Sequence, residues 1–404
     1  MTGGLRKPRT KIARGGHPSE RLRVIAVTGT SGKTTTAWLT ASVLAEAGLR
    51  VGVLSDLGCL GLDDELPIAA HYSKPGALAR WLARLADGGC THVVVELSAD
   101  AIAGGAIEGL RTDTVVVTSM ASPAVATWGD QHLTSMSPAG AAIQAAATLH
   151  DAGCLVSGVP SAGTTKLTRH LPRSVQCLTA GLTSDCDVTA TPVEAGLFGR
   201  VVLATCAGQM LPLTLDPPVV PFVRDALLAL AVGARYGVPL HVAARGLEAA
   251  GTVPGRVERM DRGQDAAAFL DMPSSAHSLA ATLSSLRRLT SGRLAVVAEE
   301  SLLERIGSDE FGPLVARHCD ACVLVPPAVL DEDAGAADVA AYDQIDRLLG
   351  SLRAGDALLV LGDSKAGGQG PRTPEAGRFS LATLVDGWFQ VAHGLAESSV
   401  RRAA

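Results

Sequence analysis

No apolar run in this 404-residue chain reaches the roughly 20 residues that a membrane span needs; Gly, Thr, Pro or a charge interrupts each one first. Positive charge is not in excess either. Thirty-five Lys and Arg against 40 Asp and Glu leave a formal net charge of -5, which argues against the bulk electrostatics of a nucleic-acid binder. A secretory signal is missing: the first 23 residues carry Arg6, Lys7, Arg9, Lys11, Arg14, Arg21 and Arg23 but no apolar core segment. The eight cysteines (Cys59, Cys90, Cys154, Cys177, Cys186, Cys206, Cys319 and Cys322) are scattered, which reads as a reducing cytoplasm rather than a disulfide framework. Only Cys319 and Cys322 form a C-x-x-C. Without a second such pair or nearby histidines it falls short of a zinc signature.

What the chain does have is core. Hydrophobic residues make up 47% and charged residues 19%, the balance of a globular protein long enough for two or three domains. Residues 1–21 read as a basic, solvated tail. From Leu22 the pattern alternates: an apolar β-branched run over 22–28, a Gly-rich turn, a helical pattern from Lys33 stopped by Gly48, a strand over 50–55, an amphipathic helix over 76–87, and apolar strands over 91–98 and 112–120. Strand–helix alternation with continuously apolar strands predicts an α/β fold, a mostly parallel sheet covered on both faces. Short β-rich pieces over 155–215 would flank that sheet, and strong helices follow over 221–238 and 241–250. A boundary near Thr252–Gly255 splits the chain into a central unit, 22–252, and a second α/β unit, 253–404, where the alternation restarts.

The main chemical signal is VIAVTGTSGKTTT, residues 24–36, a strand, a Gly-rich turn and a helix start. A helix N-terminus offers free N–H groups and partial positive charge to phosphate oxygens. Gly29 and Gly32 let the backbone curl closely, with Thr30 and Ser31 in the turn between them. Lys33 supplies a charge for the outer phosphates, Thr34 a hydroxyl for Mg²⁺, and Thr35 a second phosphate contact. The general pattern places a Gly where Val27 stands, so the match is to Gly-Lys-Thr in the right context. Glu96 closes the apolar run VVVELS. A carboxylate there is a candidate Mg²⁺ ligand, because burial of an unpaired charge is costly.

TGTSGKTTT resembles the loop of the Mur ligases, which join an amine to a carboxylate through an acyl phosphate. Residues 71–102, ending shortly after Glu96, resemble the metal-binding segment of the UDP-MurNAc-tripeptide synthetase group. The Gly255-Arg256-Val257-Glu258 element and Asp271 match the linker and a following motif. The resemblance spans residues 22 to about 365. It implies a central ATPase domain, a smaller Rossmann-like C-terminal domain, ATP and Mg²⁺ as cofactors, and Arg256 and Asp271 as interdomain nucleotide contacts. Carboxylate and amine substrates and a cytoplasmic role in cell-wall synthesis follow from it.

The departures are specific. About 21 residues precede the first strand, so the family's N-terminal UDP-substrate domain has no counterpart. Pro123 and Ala124 stand where the family has Asp-His; His132, close to Asp130, is the remaining candidate ligand for a second metal. The family's carbamylated Lys has no equivalent, since no Lys occurs between 75 and 165 and Gln144 is the nearest polar residue. Met272, Pro273 and Ser274 follow Asp271 in place of Tyr-Ala-His, the Asp-Asn-Pro-Arg element is missing, and Lys365 lies in a loosely matching late segment. Two functions are therefore in play: a carboxylate–amine ligase with altered substrates, or an ATP-binding regulatory or scaffolding partner of cell-wall enzymes. A simple NTPase is a third.

Overall fold

Parallel strands whose residues are apolar on both faces must be covered on both faces, and that requirement organises the fold. The structure, a computed structural model, describes residues 16–61, 71–120, 136–159, 167–169, 171–330, 339–362 and 380–403, with Thr164.

The first sheet has ten strands: β1 (Arg23–Thr28), β2 (Val51–Ser55), β3 (Gly58–Leu60), β4 (His92–Glu96), β5 (Thr112–Val117), β6 (Leu149–Ser157), β7 (Gln176–Gly181), β8 (Val188–Gly196), β9 (Gly199–Cys206) and β10 (Gln209–Leu215). Their order is β10-β9-β8-β7-β6-β5-β1-β4-β2-β3. The run from β8 through β2 is parallel, while β3 at one end and the β8-β9-β10 meander at the other pair antiparallel. The expected flanking strands of the 155–215 region are thus real and close that side of the sheet.

Helices cover the first sheet: α1 (Lys33–Glu46), α2 (Ala77–Asp87), α3 (Ala99–Ala103), α4 (Pro138–Ala146), α5 (Val220–Arg235) and α6 (Leu240–Ala250). Helix α1 lacks an amphipathic pattern because it is buried nearly all round, with Ala37, Leu39, Val43 and Leu44 at 0% exposure. It lies against the sheet and under α5 and α6. Gly246 of α6 allows that approach: a Cβ there would stand 2.8 Å from the Val43 Cα and 2.9 Å from the Ser42 carbonyl oxygen.

The second sheet has order β11-β12-β15-β13-β14, from β11 (Glu258–Met260), β12 (Ala267–Asp271), β13 (Leu294–Glu299), β14 (Ala321–Val325) and β15 (Ala357–Leu361). It is parallel except for β11. The helices α7 (Ala276–Leu289), α8 (Leu302–Ile306), α9 (Ser308–His318), α10 (Val339–Gly350) and α11 (Leu381–Ala403) accompany it. Two apolar layers sandwich this sheet, one containing Phe269, Leu283 and Phe311, the other Leu349, Val385 and Phe389. The last helix, α11, goes beyond the sequence expectations.

The last residues of the expected tail are structured. Pro18–Arg21 forms a 3-10 turn. Its Ser19 is buried and its hydroxyl accepts the Arg111 N–H at 3.1 Å, while Arg21 pairs with Asp87 at 2.7 Å. Five of the seven N-terminal basic residues, Arg6 to Arg14, lie outside the described residues. No described helix is long and apolar enough to cross a membrane.

Candidate nucleotide and metal site

In a parallel sheet, ligands collect at the carboxyl ends of the strands. Here β1 runs between β4 and β5, with Val27 beside Glu96 and Thr28 beside Val117. The end of β1, Glu96 on β4, Thr118 after β5 and Asp56 after β2 therefore meet at one edge.

The turn from β1 to α1 is held open as a cradle. Gly29 has φ 138° and Gly32 φ 80°, a conformation that a Cβ disfavours. There is also no room. A Cβ on Gly29 would overlap the Thr118 hydroxyl and stand 2.8 Å from the Ser119 carbonyl oxygen; one on Gly32 would overlap the Asp225 carboxyl group of α5. The loop backbone is pinned from β5: Thr30 N–H donates to the Ser119 carbonyl at 2.9 Å, Ser31 N–H to the Ser119 hydroxyl at 3.1 Å, and the Thr118 hydroxyl to the Ser31 carbonyl. Thr118 and Ser119 are residues that the sequence reading missed; the available signal was a Thr-Ser pair ending an apolar strand. Helix α1 carries no side-chain N-cap, so its first N–H groups have no capping side chain and suit a phosphate.

Beneath the loop the Thr34 hydroxyl donates to Glu96 Oε2 at 2.9 Å, and the Asp56 N–H donates to the same oxygen at 3.2 Å. Glu96 is 2% exposed and Thr34 5%, so this strand-end carboxylate does not reach water. Burial pushes the Glu96 pKa up and nearby Asp56 adds to the rise, while Lys33 and Arg256 pull the other way. Among the described residues no basic group comes within 4.0 Å of it. A buried carboxylate, a hydroxyl in contact with it and no close counter-cation form the oxygen-donor set that fits Mg²⁺. The buried Tyr72 hydroxyl donates to the Glu96 carbonyl at 2.8 Å and braces the strand end.

Arg256 reaches this group from the linker. Its Nη2 donates to the Thr34 hydroxyl at 3.2 Å and lies 3.8 Å from Asp56 Oδ2, while Nη1 donates to the Met272 carbonyl. Asp271 lies at the end of β12, beside the linker. Its two oxygens accept the Val257 N–H at 3.2 Å and the Thr282 hydroxyl at 3.3 Å. Those bonds tie it to the linker and to α7. Asp130, His132 and Lys365 lie outside the described residues. Gln144 is exposed on α4, whose buried face is Ala141, Ala142, Ala145 and Ala146, so that helix offers no lysine. Cys319 is half-buried and Cys322 exposed, and no cluster of three metal-binding side chains occurs among the described residues.

Residues 27–124 match the Mur ligase middle domain. The UDP-N-acetylmuramoyl-L-alanyl-D-glutamate–2,6-diaminopimelate ligase of Corynebacterium glutamicum is 32% identical over 293 residues, covering 70% of this chain and 54% of that protein. The corresponding ligase of Corynebacterium efficiens is 33% identical over 322 residues, covering 76% and 58%. The chain belongs to the Mur ligase family. It spans a little over half the length of these two curated relatives. The fold also matches solved structures. One diaminopimelate ligase superposes with TM-score 0.66 at 18% identity, over 92% of this chain and 79% of that one. A Mycobacterium tuberculosis folylpolyglutamate synthase complexed with ADP and AMPPCP gives 0.62 at 16%, over 86% and 90%. The matched segment includes the phosphate loop and Glu96, and the fold matches over most of the chain.

Proposed function

We propose that this chain binds Mg²⁺–ATP at residues 29–35 and Glu96 and acts as a carboxylate–amine ligase. The observation that carries the proposal is the contact of the Thr34 hydroxyl with a buried Glu96 that lacks a close counter-cation, directly under a glycine-framed loop. The loop N–H groups and Lys33 would hold the phosphates, and Thr34 and Glu96 the metal. Bound Mg²⁺ would offset charge as the γ-phosphoryl group moves. A substrate carboxylate oxygen attacks the γ-phosphorus and ADP leaves. An amine then attacks the acyl carbon of the resulting acyl phosphate, loses a proton and expels phosphate, leaving an amide. Arg256 belongs to the same site and Asp271 to its support. The relatives' printed substrates point toward peptidoglycan precursors, with cell-wall enzymes as partners in the cytoplasm.

One observation favours a second reading. Gln144 on α4 and the Pro123-Ala124 pair leave the second metal without its usual oxygen and nitrogen donors. An ATP-binding partner of cell-wall synthesis that no longer ligates would show this pattern. ADP release from Mg²⁺–ATP, with and without pooled amino acids and a cytoplasmic peptidoglycan-precursor extract, separates the two. Release that rises with an acceptor supports the ligase; ATP binding without turnover under any addition supports the partner.

A further inference from the structure

Arg256 already stands where a cation belongs. The Thr34 hydroxyl has one proton and two lone pairs. Its proton goes to Glu96 Oε2 at 2.9 Å, and it accepts Arg256 Nη2 at 3.2 Å. A divalent cation that took the remaining lone pair as a ligand would stand beside the guanidinium charge, with one oxygen atom between two like charges. The arginine therefore has to leave Thr34 when the metal arrives.

Its backbone cannot follow. Arg256 N–H donates to the Val253 carbonyl at 3.0 Å, Gly255 N–H to Glu258 Oε2 at 2.8 Å, Met272 N–H to the Gly255 carbonyl at 3.0 Å, and Val257 N–H to Asp271. Val257 is held at φ 49°, a conformation a β-branched residue adopts only when its surroundings impose it. The movement is left to the side chain. Arg256 Nε is buried with no hydrogen-bond partner, so the guanidinium is tied only at its two outer nitrogens. The available destination is Asp56. Its carboxylate is 61% exposed and makes a loose pair with Arg256 at 3.8 Å, longer than the about 2.8 Å of a charge-assisted hydrogen bond.

We propose that Arg256, held on the Thr34 hydroxyl and beyond salt-bridge distance of Glu96, stands on the metal's side of Thr34, that a divalent metal displaces it, and that Asp56 is the positioning residue that receives it. The inference rests on the assignment of Thr34 and Glu96 as the metal ligands. Asp56 follows β2, outside the phosphate loop and the linker; its N–H holds Glu96, and its carboxylate is the group assigned to receive Arg256.

The test is Mn²⁺ binding to the full chain without nucleotide, read from the electron paramagnetic resonance signal of the free ion. Arg256→Met should bind Mn²⁺ about tenfold more tightly than the wild type, because one positive charge near the site is gone. Arg256→Lys keeps the charge and should stay within about threefold. Asp56→Asn, at an exposed position, should weaken binding about tenfold in the wild-type background and by about threefold or less beside Arg256→Met, since only the arginine's handover needs it. Unchanged or weaker binding in Arg256→Met overturns the proposal. So does an equal loss from Asp56→Asn in both backgrounds, which would make Asp56 a direct electrostatic contributor. The Asp56→Asn arm stands even if Arg256→Met does not fold. Glu96→Gln serves as the separate control: Mn²⁺ affinity unmoved by it refutes the ligand assignment itself, whereas affinity lost in Glu96→Gln but unmoved in Arg256→Met refutes the displacement alone.

Discussion

Glu96→Gln should separate stability from binding. In the metal-free protein the Glu96 carboxylate is 2% exposed and receives two hydrogen bonds, at 2.9 and 3.2 Å. Lys33 and Arg256 help, but their pull does not cancel the effect of burial, since the net shift is upward. Glutamine has nearly the same shape and keeps an acceptor for Thr34 and Asp56, while the burial cost of the charge disappears. Replacing buried charges by neutral groups is often stabilising by about 1–4 kcal/mol. The low end, about 1 kcal/mol, applies because two hydrogen bonds and two cations already offset part of the cost. At about 2–4 °C per kcal/mol for a unit of this size, the metal-free variant should melt about 2–4 °C above wild type at pH 8. Adding Mg²⁺–ATP at about 100 times its Kd should stabilise the wild type by about 2.7 kcal/mol and the variant far less. Differential scanning calorimetry with and without Mg²⁺–ATP reads both. A variant that melts lower in the metal-free state, or that keeps the full Mg²⁺-dependent rise, refutes the reasoning.

The pH dependence follows from the same groups. Burial raises the pKa of Glu96, Asp225 and Asp271, so the folded state binds more protons than the unfolded state above about pH 4. Their contribution is present below the unfolded pKa and is lost as pH rises through the folded values. The melting advantage of Glu96→Gln should therefore shrink at pH 5 and widen at pH 8; an advantage constant with pH would contradict the burial argument. Gly32→Ala faces both φ 80° and the Asp225 carboxyl group, so it should cost about 1–2 kcal/mol in backbone strain alone and weaken ATP binding at least tenfold in a fluorescent-nucleotide titration. Gly246→Ala meets α1 backbone atoms at 2.8 and 2.9 Å and should destabilise by about 1–3 kcal/mol in urea titration, without changing nucleotide affinity once folded.

Much of this was legible in the sequence because local patterns decided it. Continuous apolar runs such as VVVE at 93–96 read as parallel strands, and Gly-Lys-Thr after an apolar strand read as a phosphate loop. Glu96 was readable because a carboxylate closing an apolar strand needs a partner. Asp56, Tyr72, Thr118 and Ser119 were not, since their place depends on which strands neighbour β1, a non-local fact set by sheet order. Asp271 was found for its family motif; only the fold shows that its oxygens accept from Val257 and Thr282. The departures near Pro123 and Gln144 were visible as missing donors, and the structure adds that α4 buries only alanines there.

The central claim is that residues 29–35 and Glu96 bind Mg²⁺–ATP. Isothermal titration of the purified chain with ATP in Mg²⁺, beside Lys33→Ala, tests it most directly. The account predicts saturable one-to-one binding that depends on Mg²⁺ and falls at least about 30-fold in the variant, the loss of one charge-assisted phosphate contact of about 2 kcal/mol. Equal affinity in the two proteins would contradict it.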